Sequence, residues 1–252
     1  MRVFITGLNG FAGSHLADFL LTQPDSEIYG AGIGPVDNIA HLNGRVNFAQ
    51  VDLTQPDATA AVLEKTKPDR VYHLAGQAFA PISWADPWGT IEINLRAQVN
   101  VLNTLARMKS DARVLVIGSI DEYGRVDSQN LPVKETAPFN PDSPYAVSKI
   151  AQDFLGLQYF LSDELHVVRA RPSNHIGPRQ NEQFVTSNFA KQIAEVFQNL
   201  GRQRRRAGNE ETHKPANFAR GAGIHTQQPD INGRYAKEER GPEIQKLRGG
   251  RR

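Results

Sequence analysis

The sequence predicts an α/β fold built on a doubly wound parallel sheet, and three observations predict it. Strand-like and helix-like segments alternate, the strands read as continuous apolar runs, and a glycine-rich turn joins the first strand to the first helix. Apolar runs near 2–6, 27–32, 46–51, 70–74, 113–118 and 165–170 are the expected strands, and helical patterns near 11–22, 57–66, 89–108, 144–162 and 183–199 separate them. Strands that are apolar throughout must be covered on both faces, which crossover helices accomplish.

The first strand leads into Gly7-Leu-Asn9-Gly10-Phe11-Ala-Gly13 and then an amphipathic helix. Glycines at that spacing permit positive φ and let the backbone approach a pyrophosphate, which the helix N-terminus stabilises with its unpaired N–H groups. A glycine triplet alone is a weak signal; one that follows a strand and opens a helix meets the context the motif requires, that of a Rossmann-type dinucleotide site. After the second strand an acid would bind the ribose hydroxyls of NAD and repel a 2′-phosphate. Gly32 and Ile33 stand there instead, and no arginine follows closely. NADP is therefore the expected cofactor, with NAD possible.

The fifth strand ends at Ser119, whose hydroxyl is delivered to the carboxyl edge of the sheet, where ligands of such sheets bind. Leu74-Ala75-Gly76 after the fourth strand and Pro172-Ser-Asn174 after the sixth fall at the same edge. Asp142-Ser143-Pro144 reads as a helix N-cap followed by proline in the first turn, so Tyr145 and Lys149 share one face near a helix start. A phenol of ordinary pKa ~10 is a poor acid–base catalyst at neutral pH, and a nearby cation is expected to lower it. Tyrosine and lysine four apart are common on exposed helices, so the pair gains meaning only from the turn and Ser119.

Together Thr6-Gly7-Leu-Asn-Gly10-Phe-Ala-Gly13, His73-Leu-Ala-Gly-Gln77, Gly118-Ser119-Ile-Asp-Glu-Tyr-Gly124 and Tyr145-Ala-Val-Ser-Lys149 resemble the extended short-chain dehydrogenase/reductases that act on nucleotide sugars. Arg171-Pro-Ser-Asn-His-Ile-Gly-Pro-Arg-Gln180 and Ser83-Trp-Ala-Asp-Pro87 resemble the GDP-4-keto-6-deoxy-D-mannose reductases among them, with the GDP-mannose 4,6-dehydratases as close competitors. The resemblance implies that Ser119, Tyr145, Lys149 and Asp121 are catalytic. It implies cofactor contacts at Gly7, Asn9, Gly10, Phe11, Gly13, Asp52, Leu53, Leu74, Ala75, Gly76, Tyr145, Lys149, Arg171 and Pro172. It implies substrate contacts at Gln77, Asn174, His175 and Arg179, and a supporting role for Asn94. Asp52 also reads as a turn residue, Asn174-His175 as a strand-end cap, and Trp84 and Trp88 as packing.

Reduction and dehydration part at Ser119-Ile120-Asp121-Glu122. Dehydration needs a further carboxylate; the dehydratases are expected to carry Glu two residues after the Ser/Thr, where this chain has the shorter Asp121, and Ile120 cannot transfer a proton. The resemblance also implies a GDP-sugar substrate and a homodimer formed through the helices near 89–108 and 144–162.

Composition excludes other classes. Among 252 residues there is no cysteine, and the seven histidines have no metal-ligand spacing. No apolar run approaches the ~20 residues a membrane span needs, and no signal-peptide order opens the chain, so a cytoplasmic location without membrane partners is expected. The resemblance covers about residues 1–198; residues 199–252 read as a basic Gly/Arg-rich tail, disordered or the product of a shifted reading frame, replacing the family's C-terminal substrate lobe. Between 201 and 252 stand 13 Lys or Arg against 6 Asp or Glu, whereas the whole chain is only +2. Such an arm could bind nucleic acid, but that partner is the less favoured reading.

Overall fold

Arg2–Thr6 (β1) becomes the central strand because Val3, Phe4 and Ile5 have no exposed surface to offer: each is at most 1% accessible. In the computed structural model, which describes residues 1–209, β1 pairs with β2 (Glu27–Gly32) on one side and β4 (Arg70–His73) on the other. With β3 (Asn47–Gln50), β5 (Arg113–Ile117) and β6 (Val167–Ala170) the order is β3-β2-β1-β4-β5-β6, and every pairing is parallel. The order reverses between β1 and β4, which places the crevice for a ligand at their carboxyl ends.

Alternation along β1 splits the core. Val3 and Ile5 face α1 (Phe11–Leu20) and the 3₁₀ turn Asp37–Leu42, joining Leu8, Ala17, Leu20, Ile39 and Leu42. Phe4 faces the other way, towards Leu63 of α2 (Pro56–Thr66), Val101, Leu102 and Leu105 of α4 (Pro87–Arg107) and Tyr159 of α5 (Pro144–Asp163). The predicted strands and the helices near 11–22, 57–66, 89–108 and 144–162 agree with these elements to within a few residues. The short helix α3 (Ala80–Ala85) and the 3₁₀ turns escaped the pattern because they are too short to show a period.

Helix starts follow their caps. Ser143 accepts from Ala146 N at 3.1 Å with Pro144 at the first helical position, as the sequence predicts, and Asp86 caps α4 through Gly89 N at 2.9 Å. Trp84 and Trp88, expected to pack, are instead 53% and 70% exposed at the junction of α3 and α4.

The chain divides into two units. The first, Met1–Lys191, holds the sheet and the crevice; the second begins at Gln192, inside α6 (Val185–Asn209), and its described part is the remainder of that helix. Helix α6 runs on to Asn209, and the rest of the expected tail lies outside the described residues. No helix among the described residues is long and apolar enough to cross a membrane, and no group of three or more His, Cys, Asp or Glu among them could hold a metal ion.

Candidate active site

At the carboxyl end of β1 the chain turns through Gly7 in the left-handed region, φ +70°, and Gly7 N donates to Ala31 O at 2.6 Å. A Cβ on Gly13 would lie 2.2 Å from Gly7 O, so only glycine lets the helix start press against the turn. Gly10 precedes α1 without a side-chain cap, and no acid stands in the helix's first turn. The first N–H groups of α1 therefore remain available to an anion. Asn9 is nearly buried and donates its amide to both Ile33 O and Pro35 O at 2.8 Å, tying the turn to the loop after β2.

The turn opens into a cleft of about 640 Å³, lined by Gly7, Asn9, Gly10, Gly32, Ile33, Asp52, Leu53 and Leu74–Gln77. Asp52 folds into an Asx turn, accepting from Thr54 N at 2.9 Å and Thr54 Oγ1 at 2.8 Å; the backbone bond above all holds its carboxyl below the usual value. Phe11 does not line the cleft. Its ring packs edge-on against His15, and a Cβ on Gly177 would meet it at 3.3 Å.

Ser119, Tyr145 and Lys149 come together beyond the inner end of the cleft. Ser119 caps the 3₁₀ turn Ile120–Tyr123, accepting from Asp121 N at 3.1 Å, and its hydroxyl lies near enough to the Tyr145 phenol to favour the ionised form. Burial pushes that phenol up to about 12; the Ser119 hydroxyl lowers it and the charges of Asp121 and Glu122 raise it further. Lys149 Nζ lies 5.8 Å from the Tyr145 ring centroid but donates to Ile117 O at 3.1 Å and Gln152 Oε1 at 3.0 Å. Burial draws the lysine down to about 8, with the Glu122 charge opposing. The expected lowering of the tyrosine is not seen: burial of the phenol dominates and pushes it up.

Sequence reading missed the frame around this group. Glu122 has no exposed surface; its Oε1 accepts from Ser119 N at 2.8 Å and its Oε2 faces Arg171 Nε at 3.1 Å. Burial raises its carboxyl, with the Ser119 N–H, Arg171 and Lys149 opposing and Asp153 adding to the rise. Ser119 followed three residues later by Glu is a capping box, a signal the sequence did carry. Asn94 supports the site as expected: its Oδ1 accepts from Gln77 N at 2.7 Å, its Nδ2 donates to Ser148 Oγ at 2.9 Å, and Gln152 Nε2 donates to its carbonyl at 3.0 Å. At the end of β1, Thr6 Oγ1 accepts from Leu74 N and Ala75 N and so donates to His73 Nδ1 of β4 at 3.0 Å. Desolvation, with the Lys149 charge adding, drives that ring down to about 3, so it stays neutral.

Several expected contacts are placed elsewhere. Arg171, expected at the cofactor, forks onto Asp153 with Nε and Nη2 each at 3.0 Å, donates to Tyr123 OH at 2.8 Å and stacks 4.8 Å from the Phe139 centroid. It clamps the sheet edge to α5. Pro172 offers its carbonyl to Ile120 N at 3.0 Å. Gln77 lines the cleft, and its side-chain amide bonds Phe79 in its own loop and Thr90 of α4. Asn174 and His175 are exposed, and His175 Nδ1 bonds Ser173 O at 2.7 Å. Arg179, expected on the substrate side, reaches the far rim of the cleft and binds Asp18 and His15 of α1.

A family model described as GDP-mannose 4,6 dehydratase matches residues 4–220. The GDP-6-deoxy-D-mannose reductase of Pseudomonas aeruginosa is 36% identical over 208 residues, covering 82% of this chain and 63% of that protein. A GDP-mannose 4,6-dehydratase of Vibrio cholerae is 29% identical over 212 residues, covering 79% of this chain and 56% of that protein. Among solved structures, RMD from Pseudomonas aeruginosa complexed with NADPH superposes with a TM-score of 0.66 at 38% identity over 79% of this chain and 64% of that one. DesIV, the dTDP-glucose 4,6-dehydratase of Streptomyces venezuelae with NAD and TYD bound, gives 0.72 at 26% identity over 78% and 63%. The chain thus spans roughly three-fifths of the length of these relatives. The parallel sheet, the glycine turn at its switch point and the match over residues 4–220 make this chain a member of the GDP-mannose 4,6 dehydratase family.

Proposed function

We propose that this chain reduces the 4-keto group of a GDP-4-keto-6-deoxyhexose, using NADPH in preference to NADH. The observation that carries the reading is the meeting of Ser119, Tyr145 and Lys149 at the carboxyl end of β5, where burial favours the phenol over the phenolate. Reduction consumes a proton at the new C4 hydroxyl, so a protonated tyrosine is in the form needed, whereas the oxidative opening of a dehydration needs it ionised. The first N–H groups of α1, the Gly7–Gly13 cradle and the absence of an acid at Ile33 fit a dinucleotide with a 2′-phosphate, which when bound supplies the hydride. Tyr145 gives its proton to the carbonyl oxygen, the Ser119 hydroxyl polarises that oxygen, and Lys149, anchored on Ile117 and Gln152, holds positive charge beneath the phenol.

The names of similar proteins support this reading, because a reductase of this substrate type stands at higher identity than the dehydratases reported above. Dehydration remains the second reading, favoured by the Asp121 carboxylate, which lies close enough to influence Tyr145. A third follows from the chain's share of its relatives' length: a protein that binds NADP and turns nothing over. The reading includes a homodimer, supported by the exposed Phe154, Phe160 and Leu161 of α5.

Substrate choice tests these readings. A reductase oxidises NADPH in the presence of GDP-4-keto-6-deoxy-mannose and leaves GDP-mannose untouched. Conversion of GDP-mannose to a 4-keto product without net loss of cofactor would overturn it in favour of dehydration; binding of NADPH with neither conversion would leave the third.

A further inference from the structure

The loop after β6 returns across the mouth of the cleft and plants Arg179 on the rim formed by the loop after β2. Arg179 Nη1 donates to Asn38 O at 3.3 Å, five residues beyond Ile33, and Nη2 donates to Asp18 Oδ2 at 2.6 Å and His15 Nδ1 at 2.7 Å. His15 Nε2 in turn donates to Pro178 O at 2.9 Å, and Asn9 fixes Ile33 and Pro35 on the same rim. Arg179 lines the cleft with Gly32, Ile33, Pro35 and Asn38, and its side chain keeps 22% of its surface accessible. Its Nε makes no hydrogen bond among the described residues, so the fork is fixed in place with a donor to spare.

An NAD-specific site places an acid after β2 to meet the ribose hydroxyls; here the position is Ile33, and a guanidinium is brought to the same rim from almost 150 residues downstream. We propose that Arg179 recognises the adenosine 2′-phosphate of NADP(H) and is the residue that sets this chain's preference over NAD(H). The proposal rests on reading the cleft as the dinucleotide site. Asp18 holds the guanidinium plane from the α1 side, as partners of phosphate-binding arginines do. Asp37 also borders the cleft and opposes the phosphate, but it is exposed and screened by solvent. Backbone geometry points the same way: Arg179 sits at φ +70°, a conformation that costs a non-glycine residue energy and is held by contacts the side chain makes.

That geometry supplies the variant. Arg179→Gly removes the guanidinium and relieves the left-handed backbone, so it should fold. The full chain is titrated calorimetrically with NADP⁺, NAD⁺, adenosine 2′,5′-bisphosphate, AMP and GDP. Arg179→Gly is expected to weaken NADP⁺ and adenosine 2′,5′-bisphosphate about tenfold or more while NAD⁺, AMP and GDP change less than about twofold. Arg179→Lys should keep part of the preference, and the wild-type advantage of the bisphosphate over AMP should shrink as salt rises. Equal weakening of NADP⁺ and NAD⁺, or no change in either, overturns the proposal and leaves Arg179 a rim brace. Loss confined to GDP overturns it in favour of a substrate-diphosphate role. Binding of neither dinucleotide to the unaltered chain sinks the cofactor reading itself, a result distinct from the other three.

Discussion

The two ends of the cleft are built on opposite principles. Around Tyr145 the supports are buried: Asn94, Glu122 and Asp153 have no exposed surface, and each bond joins elements whose placement the sheet already fixes. At the other end Asp18, His41 and Arg179 form an ion cluster with side chains 36%, 47% and 22% accessible, joining segments up to 164 residues apart. Burial makes a polar network expensive to break, whereas exposed ion pairs contribute little to stability and can be specialised for a ligand. On the proposed reading, chemistry is carried by the buried end and discrimination by the accessible one.

Stability measurements can break that comparison, and the largest effect is expected at Asp153. It receives the Arg171 fork at 3.0 Å and bonds Arg169 as well, so Asp153→Ala leaves Arg169 without its carboxylate and Arg171 with Glu122 as its remaining one. Denaturant unfolding should show a loss of about 3–5 kcal/mol. Asn94→Ala, which strands Gln77 N and Ser148 in the interior, should cost about 3 kcal/mol by the same assay and lower turnover with it. A loss under ~1 kcal/mol at either position would erase the distinction between the two ends.

Acid stability gives the next effect. His73 is about 3 in the fold against 6.5 when free, so between those values the unfolded chain binds a proton that the folded chain refuses. Stability is fully present above 6.5 and is lost as pH falls, by about 2 kcal/mol at pH 5. Unfolding titrations at pH 7 and 5 should show that loss in the wild type and not in His73→Gln, each compared with itself. The smallest effect belongs to the rim: Asp18→Asn removes an exposed partner of Arg179 and His41 and should move stability by less than ~1 kcal/mol. A larger change would mean that the cluster braces the fold.

The same contrast explains what the sequence disclosed. The strands, the glycine turn, Ser143 as cap and the meeting of Ser119 with Tyr145 and Lys149 follow from local pattern plus one topological rule, that ligands sit at the strands' carboxyl ends. Glu122 was legible through the capping-box spacing, but its burial against Arg171 was not, because that partner comes from a distant strand end. The destinations of Arg171 and Arg179 were not legible, because a guanidinium's partner is decided by which of several distant carboxylates the tertiary fold brings near. Nor was the state of Tyr145: the spacing to Lys149 is readable, but the desolvation that raises the phenol depends on packing from other elements.

The central claim, that a protonated Tyr145 completes a reduction, is tested most directly by following NADPH oxidation with GDP-4-keto-6-deoxy-mannose in the wild type and Tyr145→Phe, with NADPH affinity measured in both. The account predicts turnover in the wild type, a fall of about a thousandfold in the variant, and unchanged NADPH affinity. Equal turnover by the two proteins would contradict it.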